Sequence, residues 1–368
     1  MGYVPLLDAA PIIAAYELGY FADESLDVYL ERQIGWGNVR DKLTFGHLHG
    51  SHALLGMPAA SVLKRPLYPE PLVSLLSLGF GGNAITLSKL LINAGVKCAA
   101  GLLTWLHAAP RGGSTPLLAH VFGCSTHHYL LRDWLSRGGI NPDRDVRLCV
   151  LPPPQIVGQM AKGYLDGCCV GEPWNSVAEA GGFGKVLAVT TELVPEHPEK
   201  VFAVSRKWLV ENTDTARKLA RALLRAGQFC GDEANHKQLA GLLSRSQYLG
   251  AEASLILRSL RLECHVAQSR SPGRGPTHRC YTINPSAMFP SGTHTMWLLN
   301  QMKRWSHLPL DVDVESIAAQ SVDTRAYRVA AATMNVEVPD SDFPPMKLPH
   351  PVAPRVDARR GQPAMASA

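Results

Sequence analysis

The segment Cys168-Cys169-Val170-Gly171-Glu172-Pro173-Trp174-Asn175 constrains the fold more than any other stretch of this chain. Its first residues read as a buried strand, Gly171 as a turn and Pro173 as the opening of a helix. Proline suits a first helical turn because the N–H it lacks would be unpaired there anyway. A strand that runs into a helix N-terminus is the repeating unit of α/β folds. It aims free backbone N–H groups, and the positive end of a dipole, at whatever lies above the sheet. Such a junction suits an anion. The helix-opening run Pro152-Pro153-Pro154-Gln155 lies just upstream.

The same alternation extends along the chain. Asp8 is placed to cap a helix that carries Pro11 in its first turn, an apolar stripe of Ile12, Ile13, Tyr16 and Leu18, and Gly19 at its end. Leu26 to Ile34 alternates as a strand, residues 37–45 return to helical spacing, and His49 to Leu55 is the next apolar segment. Further strands are expected within 72–87, from Val146 to Leu151, from Leu165 to Val170 and from Val201 to Val204. Helices are expected from Thr126 to Leu135, Gln155 to Lys162, Trp208 to Cys230 (with Thr213 or Asp214 as cap) and His294 to Trp305. Strands and helices in alternation predict mostly parallel sheets with helices on their faces. At 368 residues there is room for two cores. Residues 266–279 read as a mobile basic loop, and residues 344–368 as a disordered tail.

Composition excludes several classes. No run of 18 apolar residues exists to span a membrane. The net charge of +5 is mild and the cations are scattered, so no dedicated nucleic-acid face is expected. Gly79-Phe80-Gly81-Gly82-Asn83 and Gly181-Gly182-Phe183-Gly184-Lys185 lack the spacing of dinucleotide or phosphate loops, and neither a nucleophile elbow nor a zinc-protease helix is present. His47, His49 and His52 share no face of a strand or helix, which argues against a metal site. We expect no catalysis, no cofactor and no metal. None of the eight cysteines forms a C-x-x-C pair, and several sit in apolar runs, a usage that suits a reducing compartment.

What remains is a set of donors at loop and helix starts: Trp36, Asn83, His127, Gly171 through its backbone, and Lys200. Each also has an ordinary structural explanation, as a core aromatic, a turn former, a first-turn residue or a solvated charge. The set nevertheless falls where a doubly wound fold collects its ligand.

Over residues 2–87 and 122–210 the strings GYVPLLDAAPIIAAYELGYF, GWGNVRDKL, GNAIT, THHYLLRDWLSRGGINP, PPPQIVGQMAKGYLDGCCVGEPWN and HPEKVFAV occur in order, with FPSGTHTMWLLNQMKRW further on. In these strings the chain resembles the nitrate/bicarbonate-binding family of two-lobed solute-binding proteins, and most of all its cytoplasmic nitrate-sensor branch. The resemblance implies a periplasmic-binding-protein-like α/β fold with the ligand in the cleft between lobes. It implies one lobe formed by 1–86 and 200–343 and the other by 87–199. It also implies that Trp36, Asn83, His127, Gly171 and Lys200 surround the ligand. Bicarbonate-type members carry an acidic residue at the Lys200 position, so Lys200 points to nitrate or nitrite. The implied function is a sensor that frees an ANTAR-type RNA-binding antitermination regulator when nitrate closes the cleft. The alternative is the binding subunit of an ABC transporter, working with a permease and ATPase, for nitrate or another small anion such as an alkyl sulfonate. Folded-looking sequence from Met1 onward points to a cytoplasmic protein, with a periplasmic one as the alternative if the true start lies upstream.

Overall fold

A computed structural model describes residues 1–63, 69–108, 115–261, 263–265 and 277–346; the side chains of 263–265 and 277–279 are not among those described. Two five-stranded sheets organise the molecule. The first runs, in spatial order, Glu31–Arg32, Gly2–Tyr3, Ser51–Leu54, Lys200–Ser205, Leu72–Ser77. The second runs Gly184–Val189, Asn83–Ser88, Gly167–Gly171, Leu117–His120, Arg147–Val150. The chain passes from the first sheet to the second between Ser77 and Asn83 and returns between Val189 and Lys200.

The pairings explain where a ligand can sit. In each sheet four of the five strands share one direction. The exception is in each case the strand that has just crossed over: Lys200–Ser205 is antiparallel to both its neighbours, and so is Asn83–Ser88. A strand arriving from the other sheet enters at the end where the parallel strands finish. Its first residue is therefore brought level with their last ones: Asn83 pairs with Gly171, and Lys200 with Leu54. Loops and helix starts that follow parallel strands gather along the same edge.

The core follows from the apolar runs. One cluster extends from Val4, Leu6 and Trp36 through Leu54 and Ile85 to Leu131 and Cys169, so apolar packing is continuous from one sheet to the other. A second cluster joins Ile12 and Ile13 to Leu219, Leu223 and Tyr327 under the helices of the first sheet.

Several local expectations are refined. The helix after Asp8 spans Ala10–Glu17 with proline at its start, and Gly19 follows it at φ 75°, but the Asp8 side chain makes no cap bond. The strand expected from Leu26 to Ile34 shortens to Glu31–Arg32, because its neighbour Gly2–Tyr3 offers only two residues to pair with. Between Trp208 and Cys230 the helix expected with Thr213 or Asp214 as cap is Thr213–Gly231, with Asn212 in the cap position and no side-chain cap bond, and a separate helix, Arg206–Glu211, precedes it. Asn212 leaves the helical region between them, and the cap of the earlier helix is Ser205, which accepts from Trp208 N. Helices Thr126–Arg137 and Gly292–Arg304 open with serine caps, Ser125 and Ser291. Within the loop expected at 266–279, Thr277–Arg279 is a strand paired to Glu263–His265. Residues 266–276 of that loop, and 347–368 of the expected tail, lie outside the described residues.

Candidate functional site

The edge where the two sheets meet holds a buried charge cluster centred on Lys200. Lys200 is the first residue of its crossing strand and is 0 % exposed. Its Nζ lies 2.6 Å from Asp8 Oδ2 and 2.6 Å from Glu199 Oε2, and donates a longer bond of 3.4 Å to His127 Nε2. An ammonium has three protons. All three are directed at protein acceptors.

Each partner arrives by the logic of the fold. Asp8 follows the strand Gly2–Tyr3 in a short 3-10 turn, and its second oxygen lies 3.0 Å from His52 Nε2. Glu199 closes the return crossing. Its Oε1 accepts from Asn83 Nδ2 and from Thr126 Oγ1, and stands 3.4 Å from His197 Nδ1. His127 lies in the first turn of helix Thr126–Arg137, oriented by the Ser125 cap. Gly171 ends its strand, and a Cβ built on it would sit 3.1 Å from Leu6 Cδ2, 3.3 Å from Asn83 Oδ1 and 3.7 Å from Lys200 Nζ. Only a residue without a side chain leaves space beside the ammonium. Trp36 opens helix Trp36–Thr44, is 2 % exposed and meets His52 edge-on, with ring centroids 5.1 Å apart.

The five residues expected from the sequence thus fall into two groups. Asn83, His127, Gly171 and Lys200 are brought together directly. Trp36 joins them at one remove, through His52 and Asp8. Two expectations change. Lys200 is not a free cation but sits between two carboxylates, and the Asn83 amide donates to Glu199 while its Oδ1 has no hydrogen-bond partner.

Burial and neighbours set the protonation states. Burial alone would raise the Asp8 carboxyl, but Lys200 and then His52 hold it well below the usual carboxylate range. Burial pushes the Glu199 carboxyl up, and Lys200 and Thr126 only partly offset this. The ammonium loses solvation yet is held above its ordinary value by Asp8 and Glu199. His127 is pushed well down by burial and then by Lys200, and burial lowers His197 to about 3, so both rings are neutral near pH 7. A neutral His127 that accepts at Nε2 carries its proton on Nδ1. That N–H, like the indole N–H of Trp36, finds no partner. Buried donors are rarely left so.

Asp8, Glu199, His52 and His197 were not anticipated as members of the site. Asp8 did leave a signal in the sequence, as a single charge inside the apolar run Leu6-Leu7-Asp8-Ala9-Ala10. Glu199 left only its adjacency to Lys200. Among the described residues no cluster of histidine, cysteine or acidic groups could hold a metal ion, and no helix is long and apolar enough to cross a membrane.

A two-sheet α/β architecture with two crossings, and polar groups converging where the sheets meet, defines the class of two-lobed solute-binding proteins. Comparison with known proteins agrees. The crystal structure of the periplasmic nitrate-binding protein NrtA from Synechocystis PCC 6803 superposes with a TM-score of 0.84, at 27 % identity, over 93 % of this chain and 91 % of that one. The nitrate import ATP-binding protein NrtC of Synechocystis sp. is 34 % identical over 313 residues, which is 84 % of this chain and 46 % of NrtC. The bicarbonate transport ATP-binding protein CmpC of the same organism is 34 % identical over 348 residues, or 92 % of this chain and 50 % of CmpC. The chain thus spans about half the length of these ATP-binding relatives. The NMT1-like family model matches residues 1–244, and the chain belongs to that family. Within it, the likeness is to solute-binding proteins of the nitrate/bicarbonate type.

Proposed function

We propose that the chain is the solute-binding part of an ABC-type import system for a small, planar, monovalent oxyanion, with nitrate or nitrite as the ligand. The observation that carries this reading is the buried ammonium of Lys200 at the meeting edge of the two sheets, together with unpartnered N–H groups on His127 and Trp36. Nitrate accepts hydrogen bonds and donates none, so a pocket for it needs donors, one positive charge and a flat wall. Charge-assisted bonds are roughly twice as strong as neutral ones. The 3.4 Å bond from Lys200 to His127 is the longest of the ammonium's three, and it is the one a ligand oxygen replaces at least cost. Gly171 keeps the space beside it.

Ligand binding closes the cleft by favouring the state in which residues of both sheets touch the anion. In this reading Asn83, His127 and Gly171 come with the second sheet, while Trp36, Asp8 and Lys200 come with the first.

The relatives named above are transport components, which favours the transporter subunit over the sensor. They lend no support to an antitermination regulator as partner, nor to a cytoplasmic location. The partners proposed here are therefore a permease and an ATPase, and the proposed location is periplasmic. Four of the cysteines do not oppose it: Cys168, Cys169, Cys230 and Cys280 are buried, while Cys124 and Cys149 are half-buried and Cys98 is exposed. Burial pushes the Cys168 thiol up to about 12 and that of Cys169 well above its ordinary value. Buried thiols that stay protonated are poor nucleophiles and persist in an oxidising compartment.

The test is calorimetric titration of the purified chain with nitrate, nitrite, bicarbonate, sulfate and taurine, in a buffer free of sulfonates. Saturable one-to-one binding of nitrate or nitrite, weakened in Trp36→Phe without loss of thermal stability, supports the reading. Binding of taurine alone, or of none of these anions, refutes it.

A further inference from the structure

The donors that should meet an anion in this pocket are turned away from it, and one residue holds them. Glu199 draws the Asn83 amide, the Thr126 hydroxyl and one proton of Lys200 onto its own two oxygens. The Asn83 amide is left showing Oδ1, with no partner, on the side where Gly171 leaves room beside the ammonium. An unpartnered carbonyl oxygen repels an anion that can only accept. In this arrangement the pocket wall has the wrong polarity for nitrate.

The charge count points the same way. Within the cluster, two carboxylates lie 2.6 Å from one ammonium, and all three groups are nearly inaccessible. The rings that face them, His127 across Lys200 and His197 beside Glu199, are neutral near pH 7. Cys169 on the neighbouring strand stays a thiol. His52 lies on the far side of Asp8, 3.0 Å from its Oδ1. With both acids ionised, an incoming anion would be a third negative charge against a single cation. Buried like charges of this kind favour uptake of a proton.

We propose that the pocket takes up its anion together with one proton, which lodges on Glu199 and reverses the hydrogen-bond polarity of the Asn83 side chain. Protonation turns one Glu199 oxygen from acceptor into donor. The Asn83 amide then rotates by half a turn, its Oδ1 accepts the new O–H, and its Nδ2 points at the ligand. The Thr126 hydroxyl keeps Glu199 Oε1 as its acceptor and no longer competes for it with the Asn83 amide. Lys200 keeps Asp8 as its counter-ion and offers the anion the proton it directs at His127 over 3.4 Å. No bond other than the O–H forms, and the proton comes from solvent. Glu199 is a specificity-determining group in this account: it makes the pocket poor for anions until it is neutral. Burial, which already pushes its carboxyl upward, lowers the cost of that step.

This inference rests on the anion-site reading above, and its test separates the two. Nitrate is a very weak base and takes no proton itself near neutrality, so any proton removed from solution on binding has gone to the protein. The full chain is titrated with sodium nitrate in unbuffered solution near pH 7, with the pH followed by electrode, and the dissociation constant is measured from pH 6 to 8.5. The expected result is an uptake of up to one proton per nitrate bound and an affinity that falls by up to tenfold for each unit of pH rise. In Glu199→Gln the carboxamide already offers Asn83 a donor. Uptake should vanish, and nitrate should bind across the range with the affinity the native chain reaches only at its acid end. An infrared difference spectrum of the native chain, in which a protonated-carboxyl band grows on nitrate addition, gives the same answer should Glu199→Gln fail to fold. Nitrate binding without proton uptake overturns the proposal. Uptake that persists in Glu199→Gln also overturns it, since the proton then sits on a group other than Glu199. If no anion binds at any pH, the anion-site reading itself fails and this inference falls with it.

Discussion

Replacing Lys200 by methionine keeps a side chain of similar length and removes the charge. Asp8 and Glu199, both nearly inaccessible and each 2.6 Å from the lost ammonium, are then left without their cation. Removing one partner of a buried ion pair costs about 3–5 kcal/mol, because the remaining charge cannot regain water. For a chain of 368 residues an unfolding entropy of about 2.1 cal/mol/K per residue gives roughly 0.75 kcal/mol/K, so the melting temperature should fall by roughly 4–7 °C at pH 7.5. The dependence on pH gives a sharper signature. In the native chain Asp8 is held below its ordinary value, so its contribution is present above about pH 4 and is lost as pH falls through the folded value. In the variant both acids titrate above the unfolded range. At these two sites the folded state then binds more protons than the unfolded one, so the variant's deficit relative to the native chain must shrink as the pH drops from 7.5 towards 5. Scanning calorimetry of both chains at the two pH values is the assay. A variant that melts within a degree of the native chain, or whose deficit is the same at both pH values, would refute the buried-cluster account.

Three further outcomes follow from other parts of the site. Gly171→Ala should fold with a loss of no more than about 1–3 kcal/mol, since the neighbours at 3.1 and 3.3 Å must give way; nitrate affinity, read by calorimetry, should fall by more than Trp36→Phe causes. Ser125→Ala should cost about 1 kcal/mol in urea unfolding, through loss of the cap that accepts from His128 N at the start of the helix carrying His127. Native stability should decline as pH drops below about 6.5, because burial lowers His120 to about 4 and His197 to about 3 while the unfolded chain binds those protons near 6.5. His197→Gln should flatten that decline in urea midpoints measured from pH 7 to 4.5; an unchanged slope would count against a neutral His197.

The parts of the fold that were legible in the sequence were those with local causes. The glycine that ends the first helix and the apolar periodicity of Thr126–Arg137 and Gly292–Arg304 are written in adjacent residues, whereas the caps expected at Asp8 and at Thr213 or Asp214 make no cap bond. The α/β alternation, and hence two mostly parallel sheets, follows from such local patterns. Crossing strands were less visible: nothing in Asn83–Ser88 or Lys200–Ser205 says that each runs against its neighbours, because direction is settled by where the chain arrives from. At the site the donors were recognisable by residue type and position. The acids were not. Asp8 looks like a cap in sequence, and only the tertiary fold puts it beside a lysine almost two hundred residues away. Glu199 and Lys200 are neighbours in the chain, yet two adjacent side chains in extended backbone ordinarily point to opposite faces. Their 2.6 Å contact exists because the crossing ends there.

The order of strands in the first sheet carries a consequence for synthesis. Every strand of the second sheet lies between residues 83 and 189, so that half is complete once this one continuous stretch has left the ribosome. The first sheet is different. Ser51–Leu54 and Leu72–Ser77 do not pair with each other; Lys200–Ser205 is inserted between them. Until it emerges, more than a hundred residues later, two strand edges made early stay unpaired and open to aggregation. The strand that finally closes them begins with Lys200. The buried cluster around Lys200 is therefore assembled only when this last strand of the sheet is paired.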